Sequence, residues 1–442
     1  MRSTTGSPAP GTDAGAPQRG PLCWGQQWAW HEQQLPAELR SHALLLRTFE
    51  PLPGVSFRTV RAAAQVVVAR HASLRSTVGV DDNGRPEQRV WPASSRMYDV
   101  EWIRRYDEAA ARLRQQMDIE ARWPIRVVYC RRLVRGPARL GLVVHHIATD
   151  LQGFDLLWNE FRATVDAVHR GLTAQLPPAG RQPIDLATFE QSPAGAAASR
   201  RAVDYWLRHQ DALAEVLESL RARATDTGLL MHVARVDSTV AARRLAQRLA
   251  TGRTTETAIV VAAVSCALAE YLGRSTVPIN MLVSNRHLPG IRDSVCCVAQ
   301  SGLLCVEVSD PRKLDDVIPA AWRGSLAANR YGHYDSAELN DQMASFDKGG
   351  LHQVAAPPSV NIVPRGAFVS WYGPDPRPEE LASRPYTSWL GESAQRCAGF
   401  YFHVRITDST LAVELRTGGH LISADETRML AERVVGAILG RD

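Results

Sequence analysis

The stretch 254–273, TTETAIVVAAVSCALAEYLG, sets the tightest limit on what this chain can fold into. It reads as a helix with apolar residues on nearly every side, and such a helix must be enclosed by lipid or by protein. Thr254 or Thr255 is placed to cap it, with Glu256 in its first turn. Glu256 and Glu270 at its two ends favour the interior of a large core over a membrane span. No stretch reaches the uninterrupted apolar length of a span. A chain of 442 residues that is 45% hydrophobic has the material for such a core. Its length corresponds to two or three domains.

Strands and helices alternate irregularly around this element. Strands are expected at 41–50, 125–133, 138–146, 231–237, 277–290, 301–309 and 357–366, and a hairpin at 399–419. Helices are expected at 56–71, 156–172, 200–220 and 423–439, the last capped by Ser423. Both halves mix the two types without a strict βαβ rhythm, which predicts an α/β protein of two lobes with mixed sheets. Residues 1–20 are rich in Gly, Pro, Ser and Ala and lack the apolar core of a signal peptide. They read as a disordered tail on a cytoplasmic protein. The Pro-, Gly- and Ala-rich stretch 176–200 is the best boundary, giving an N-terminal lobe at 21–180 and a C-terminal lobe at 181–442.

Composition excludes several classes. The seven cysteines are scattered, odd in number and without a C-x-x-C pair. They read as buried free thiols, not as a disulfide framework or a zinc site. Cys296 and Cys297 are adjacent, but nothing near them in sequence marks a reactive site. The formal net charge is +5, carried almost wholly by arginine. No basic run is interleaved with aromatics, so nucleic acid is not an expected partner. A mildly basic surface suits an acidic protein or a phosphate-bearing ligand.

The chemistry-bearing stretch is LGLVVHHIATDLQG, Leu140 to Gly153. Side chains alternate faces along a strand, so only one of His145 and His146 can face a given cleft. Two readings stand on these residues. In one, Asp150 with Thr149 caps the following helix and both histidines are structural. In the other, a histidine at the strand end serves as a base, for which its ordinary pKa near 6.5 is suited.

HHIATD matches most of the H-H-x-x-x-D-G signature of the condensation-domain superfamily, which includes the amide-forming domains of nonribosomal peptide synthetases. Further segments resemble that superfamily in its order. PLCWGQQWAW (21–30) resembles its opening motif, with Gln26 and Trp30 in place. RHASLRSTV (70–78) resembles its R-H-x-x-L-R-T segment, and YWLRHQDAL (205–213) its Tyr-Trp helix. SNRHLPGIRDSVCCVAQSGLLCVEV (284–308) resembles its Asn-Arg segment, and SVNIVP (359–364) its short Asn-bearing strand. The resemblance covers about residues 21–440.

The resemblance implies two chloramphenicol acetyltransferase-like lobes in a V-shaped pseudo-dimer with a central tunnel. It implies a monomeric, free-standing acyltransferase of antibiotic or other secondary metabolism. The acyl or aminoacyl donor would be a phosphopantetheine thioester on a carrier protein, and the acceptor an amine. A CoA-dependent or ester-forming acyltransferase, or a catalytically silent recruiting module, are the alternatives. No metal or bound cofactor is implied. His146 would orient or deprotonate the nucleophile, and His145 would support the loop. Asp150 would pair with Arg286 and hold the loop against the second lobe. Arg75 has a structural place beneath the loop or a reach toward the tunnel. Gln300 and Asn361 would bond a substrate or the tunnel floor. The stretch 372–391 corresponds to a mobile latch.

Two departures stand out. Leu151 occupies the place of the signature's glycine, and Cys296 that of the glycine in its Val-Gly segment. Glycine leaves space or permits unusual backbone angles. An unusual substrate or lost catalysis would follow. The D-x-x-x-x-D pattern of heterocyclising relatives and the D-F-G-W-G segment of plant CoA-dependent enzymes are absent.

Overall fold

The computed structural model describes residues 15–34, 44–131, 137–224, 230–252, 254–344, 356–363, 365–366, 375–393, 397 and 399–440. The apolar stretch forms a helix, Glu256–Leu272, and every residue from Ala258 to Ala269 is buried. Thr255 caps it by accepting the Ala258 N–H at 3.1 Å. Gly273, at φ 66°, ends it in the left-handed conformation that glycine adopts without steric cost. Helices Leu314–Arg330 and Ala424–Leu439 pack beside it. Among the described residues, no helix is long and apolar enough to cross a membrane.

Packing divides the chain into two units. The second comprises 197–283 and 300–440, and its main sheet has seven described strands. Their order is Gln300–Glu307, Thr276–Val283, Ser359–Val363, Phe400–Ile406, Leu411–Gly418, Met231–Ser238 and Thr387–Ser393. Ser359–Val363 runs parallel to both neighbours, and the other pairs are antiparallel. One sheet face, with Val360, Phe402, Val404, Val413 and Leu415, joins the core around the apolar helix.

The first unit comprises the described residues to 34, 44–196 and 284–299. Its four-stranded sheet runs Leu44–Leu52, Ala138–His145, Ile125–Cys130 and Asp99–Ile103. The last pair is parallel and the others antiparallel. Leu140, Leu142 and Val144 face a core built with helices Phe57–Arg70 and Leu151–His169. Val143 faces the other way, toward Leu113 of helix Tyr106–Arg114. Both sheets are mixed, in keeping with the α/β expectation.

Three expectations need correction. Residues 1–14 of the expected tail lie outside the described residues, but Gln18–Pro21 forms a strand paired with Glu87–Val90. Backbone pairing needs no apolar side chains, so composition does not reveal it. The stretch 176–200 is not a plain linker: it holds helix Pro183–Glu190 and the start of helix Pro193–Leu207. Each proline opens its helix, where the missing N–H costs nothing. Of the expected latch, 372–374 lie outside the described residues. The remainder includes helix Pro378–Ser383 and strand Thr387–Ser393, which pairs with Met231–Ser238.

One close approach sets the position of the first helix, Trp24–Gln34. A Cβ on Gly25 would lie 2.3 Å from the Cys297 carbonyl oxygen and 2.7 Å from Val298 Cα. Both obstacles are backbone, which cannot rotate away as a side chain can. Gly25→Ala is expected to lower stability by about 1–3 kcal/mol, measured by urea unfolding. An unchanged midpoint would mean that the two segments separate at no cost.

Candidate active site

The strand that carries the histidine pair ends at His145. The Ala148 N–H then bonds the His145 carbonyl at 2.9 Å, and the Thr149 N–H bonds the His146 carbonyl at 3.2 Å. These bonds turn the chain into helix Leu151–His169, whose N-cap is Asp150. His146 therefore stands on the turn, one residue past the strand.

His145 is buried and bonded through both ring nitrogens. Its Nδ1 accepts the Ile147 N–H at 3.1 Å, so the ring proton sits on Nε2. Nε2 lies 2.9 Å from the side-chain amide of Gln33, to which it donates when that amide presents its oxygen. Burial, and secondarily the adjacent His146, pushes the pKa of His145 down to about 3. A ring that stays neutral and fully engaged supports the turn and has no proton to exchange.

His146 is in a different position. Its side chain is half-buried, and its ring meets Trp28 edge-on, with centroids 4.7 Å apart at 77°. Nδ1 lies 3.7 Å from Cys297 Sγ, and the ring bonds its own backbone carbonyl. Nε2 has no hydrogen-bond partner among the described residues. Burial lowers the pKa of His146, partly offset by the charge of Asp150. The ring is thus neutral near pH 7 and able to accept a proton.

Asp150 holds this turn in place. Its Oδ1 accepts the Gly153 N–H at 2.8 Å and Arg286 Nη2 at 2.6 Å, and its Oδ2 accepts the Val298 N–H at 3.2 Å. Arg286 Nη1 also donates to the Ser294 carbonyl at 2.7 Å, and Nη2 to that of Cys296 at 3.3 Å. The pair is buried, with side-chain exposures of 8% for Arg286 and 4% for Asp150. Both partners lie in the first unit, because 284–299 packs there. The pair therefore ties together parts of one unit. Asn285 beside it takes φ 52°, a left-handed angle that asparagine tolerates. Its amide donates to the Val298 carbonyl at 2.9 Å.

Gln26 secures the turn from the other side. Its Oε1 accepts the Cys23 N–H at 3.0 Å and its Nε2 donates to the Ile147 carbonyl at 3.1 Å. Leu151 is the first, half-buried residue of its helix, where no glycine is required. The packing does require Gly153: a Cβ there would lie 2.3 Å from Thr149 Oγ1 and 2.8 Å from Arg286 Nη2. Arg75 donates to the Trp91 carbonyl at 2.5 Å and braces the 76–90 hairpin. Gln300 and Asn361 belong to the second unit. Gln300 exchanges hydrogen bonds with the Tyr334 backbone at 2.8 and 3.4 Å, and Asn361 donates to the Tyr401 hydroxyl at 3.1 Å.

Sequence reasoning did not find Gln33, Trp28 or Cys297 as neighbours of the histidines. The adjacent Cys296 and Cys297, close after the Asn-Arg pair, were the available signal. All seven cysteines are free. Among the described residues, no group of three or more His, Cys, Asp or Glu is placed to hold a metal ion.

Comparison with known proteins gives this fold a class. A family model, Condensation domain, matches residues 26–356, about three quarters of the chain. The chain belongs to the condensation-domain family, whose fold has two chloramphenicol acetyltransferase-like lobes. It is 24% identical to cyclosporin synthetase simA of Tolypocladium inflatum over 302 residues, 64% of this chain but only 2% of that synthetase. A condensation domain that mediates chain release from the enacyloxin polyketide synthase shares the fold at TM-score 0.68 and 19% identity, over 98% of this chain and 83% of that one. The X-domain from teicoplanin biosynthesis, solved in complex with OxyB, does so at 0.69 and 18%, over 96% of this chain and 93% of that one.

Two outcomes follow from the brace and the buried rings. Asp150→Ala leaves the Arg286 charge buried and unpaired, so a loss of about 3–5 kcal/mol is expected in denaturant unfolding. Adding Arg286→Met is expected to recover part of it. The second outcome concerns pH. His145 and, in the second unit, His403 are both held at about 3, the latter by burial and then by Arg416 and Arg405. In the unfolded chain each returns to about 6.5. Between those values only the unfolded chain binds the protons, so this stability is complete above about pH 6.5 and is lost as pH falls toward 3. The urea midpoint is expected to drop from pH 7 to pH 4.5. The drop is expected to be shallower in His145→Asn, whose side-chain oxygen can still accept the Ile147 N–H.

Proposed function

We propose that the chain transfers an acyl or aminoacyl group from a carrier-protein phosphopantetheine thioester to an amine, forming an amide. The observation that carries this reading is His146: a neutral imidazole on a braced turn, with Nε2 unclaimed by the described protein. In this scheme Nε2 takes a proton from the acceptor's ammonium group. The freed amine attacks the thioester carbonyl, the carbon–sulfur bond breaks, the attacking nitrogen gives its second proton to the departing thiolate, and Nε2 releases the first proton to solvent. Holding two reactants in line supplies much of the acceleration. No bound cofactor is needed. A CoA thioester donor or a hydroxyl acceptor would use the same nitrogen.

A second reading has the chain recruit a partner enzyme without chemistry of its own. The likeness to an X-domain solved in complex with OxyB supports it. The purified chain is to be tested with acyl groups on carrier proteins and on CoA, against amines and alcohols, with products read by mass spectrometry. His146→Ala is expected to remain folded and lose about 100-fold or more of product formation. Product formation unchanged in that variant, or none from the wild type with any donor, favours recruitment instead.

A further inference from the structure

Cys297 is the residue that departs most from a merely filled core at this site. It is fully buried, and its sulfur faces three groups at once. The Gly25 carbonyl lies 3.0 Å away, His146 Nδ1 lies 3.7 Å away, and the Trp28 indole N–H donates to the same sulfur. A thiol has one proton. The Gly25 carbonyl accepts it at close range and has no other role toward this side chain. With the indole N–H on one sulfur lone pair, the other remains for the imidazole.

We propose that Cys297 is a positioning residue: its sulfur, with its own proton committed to Gly25, accepts from Nδ1–H of His146 and so leaves Nε2 as the unprotonated nitrogen. The consequence is chemical. An isolated imidazole places its proton on either nitrogen, and only one tautomer has a lone pair on Nε2. The second nitrogen of a working histidine is commonly fixed by what it bonds. Here both the sulfur and the residue's own carbonyl are acceptors within reach of the ring. Burial drives the Cys297 thiol well above its ordinary value, as does the nearby charge of Asp150, so the sulfur stays a neutral thiol. A thiol so placed is a poor nucleophile. Cys23 and Cys296 complete the surroundings: their sulfurs lie 3.8 Å apart, and both point at the Cys297 carbonyl. The Gly25 approach that fixes the first helix is thus also what aims the Cys297 S–H.

This inference rests on the reading of His146 as the proton acceptor, and its test is separable from that reading. Protein labelled with 15N-histidine reports the tautomer directly, with the His146 signals assigned by their loss in His146→Gln. The wild type is expected to show Nδ1 protonated and Nε2 unprotonated at pH 8. Cys297→Ala is expected to shift the tautomer ratio toward Nε2–H by about threefold, the weight of one modest hydrogen bond. Cys297→Ser, which keeps a donor and an acceptor, is expected to restore the wild-type ratio and most of any product formation. Cys297→Val, close in size but without an acceptor, serves if the alanine variant unfolds. An unchanged ratio in both apolar variants overturns the proposal. So does an acyl adduct on Cys297 together with a Cys297→Ser variant as inactive as Cys297→Ala. A shifted ratio with unchanged product formation keeps the positioning role and removes His146 from the chemistry.

Discussion

The site depends on one buried carboxylate. Asp150 accepts from a helix N-terminus, a guanidinium and the Val298 backbone N–H. One donor comes from the helix Asp150 caps, and the other two come from the stretch 284–299. A charge taken out of water is tolerated when its lone pairs are filled and a counter-charge lies close. Those same contacts take up three of the Asp150 carboxylate's roughly four lone-pair sites. It sets where the turn sits, and His146 two peptide units past the strand's last apolar residue inherits that placement.

The two histidines show how one peptide step separates a ring engaged at both nitrogens from one with a nitrogen unclaimed by the described residues. His145 is the last residue of the strand, enclosed and bonded at both nitrogens. His146 begins the turn, where the backbone no longer pairs and one ring edge is free. Both lose basicity through burial, yet with different consequences. For His145 it removes a charge from the interior. For His146 it keeps the lone pair available at neutral pH.

Much of this was legible in the sequence, and the rest was hidden for physical reasons. The apolar helix read directly, because a helix with no polar face has few alternatives, and its cap was narrowed to Thr254 or Thr255. Asp150 read both as a cap and, through family resemblance, as the partner of Arg286. Proline and glycine misled at 176–200 because they also open helices and permit close approach. Helix Leu314–Arg330 went unread: Pro319 lies inside it, and Trp322 and Leu326 stand on its exposed side at 45% and 51%, blurring its apolar stripe. Gln33, Trp28 and Cys297 converge on the histidines from over a hundred positions away in either direction. No local spacing encodes such a meeting.

The excursion at 284–299 has a consequence for how the molecule comes into being. It leaves from Val283 and returns at Gln300, residues paired across adjacent strands of the second unit's sheet, yet it packs with the first. During synthesis, domains tend to fold from the N-terminus as they emerge. The first unit cannot do so fully: its own sequence up to residue 196 lacks Arg286, Cys297 and the Val298 amide. The ribosome must deliver some hundred further residues before the His146 turn is braced. Competence at that turn is therefore a late event in the life of the nascent chain, tied to the partial completion of a unit that contributes none of the brace.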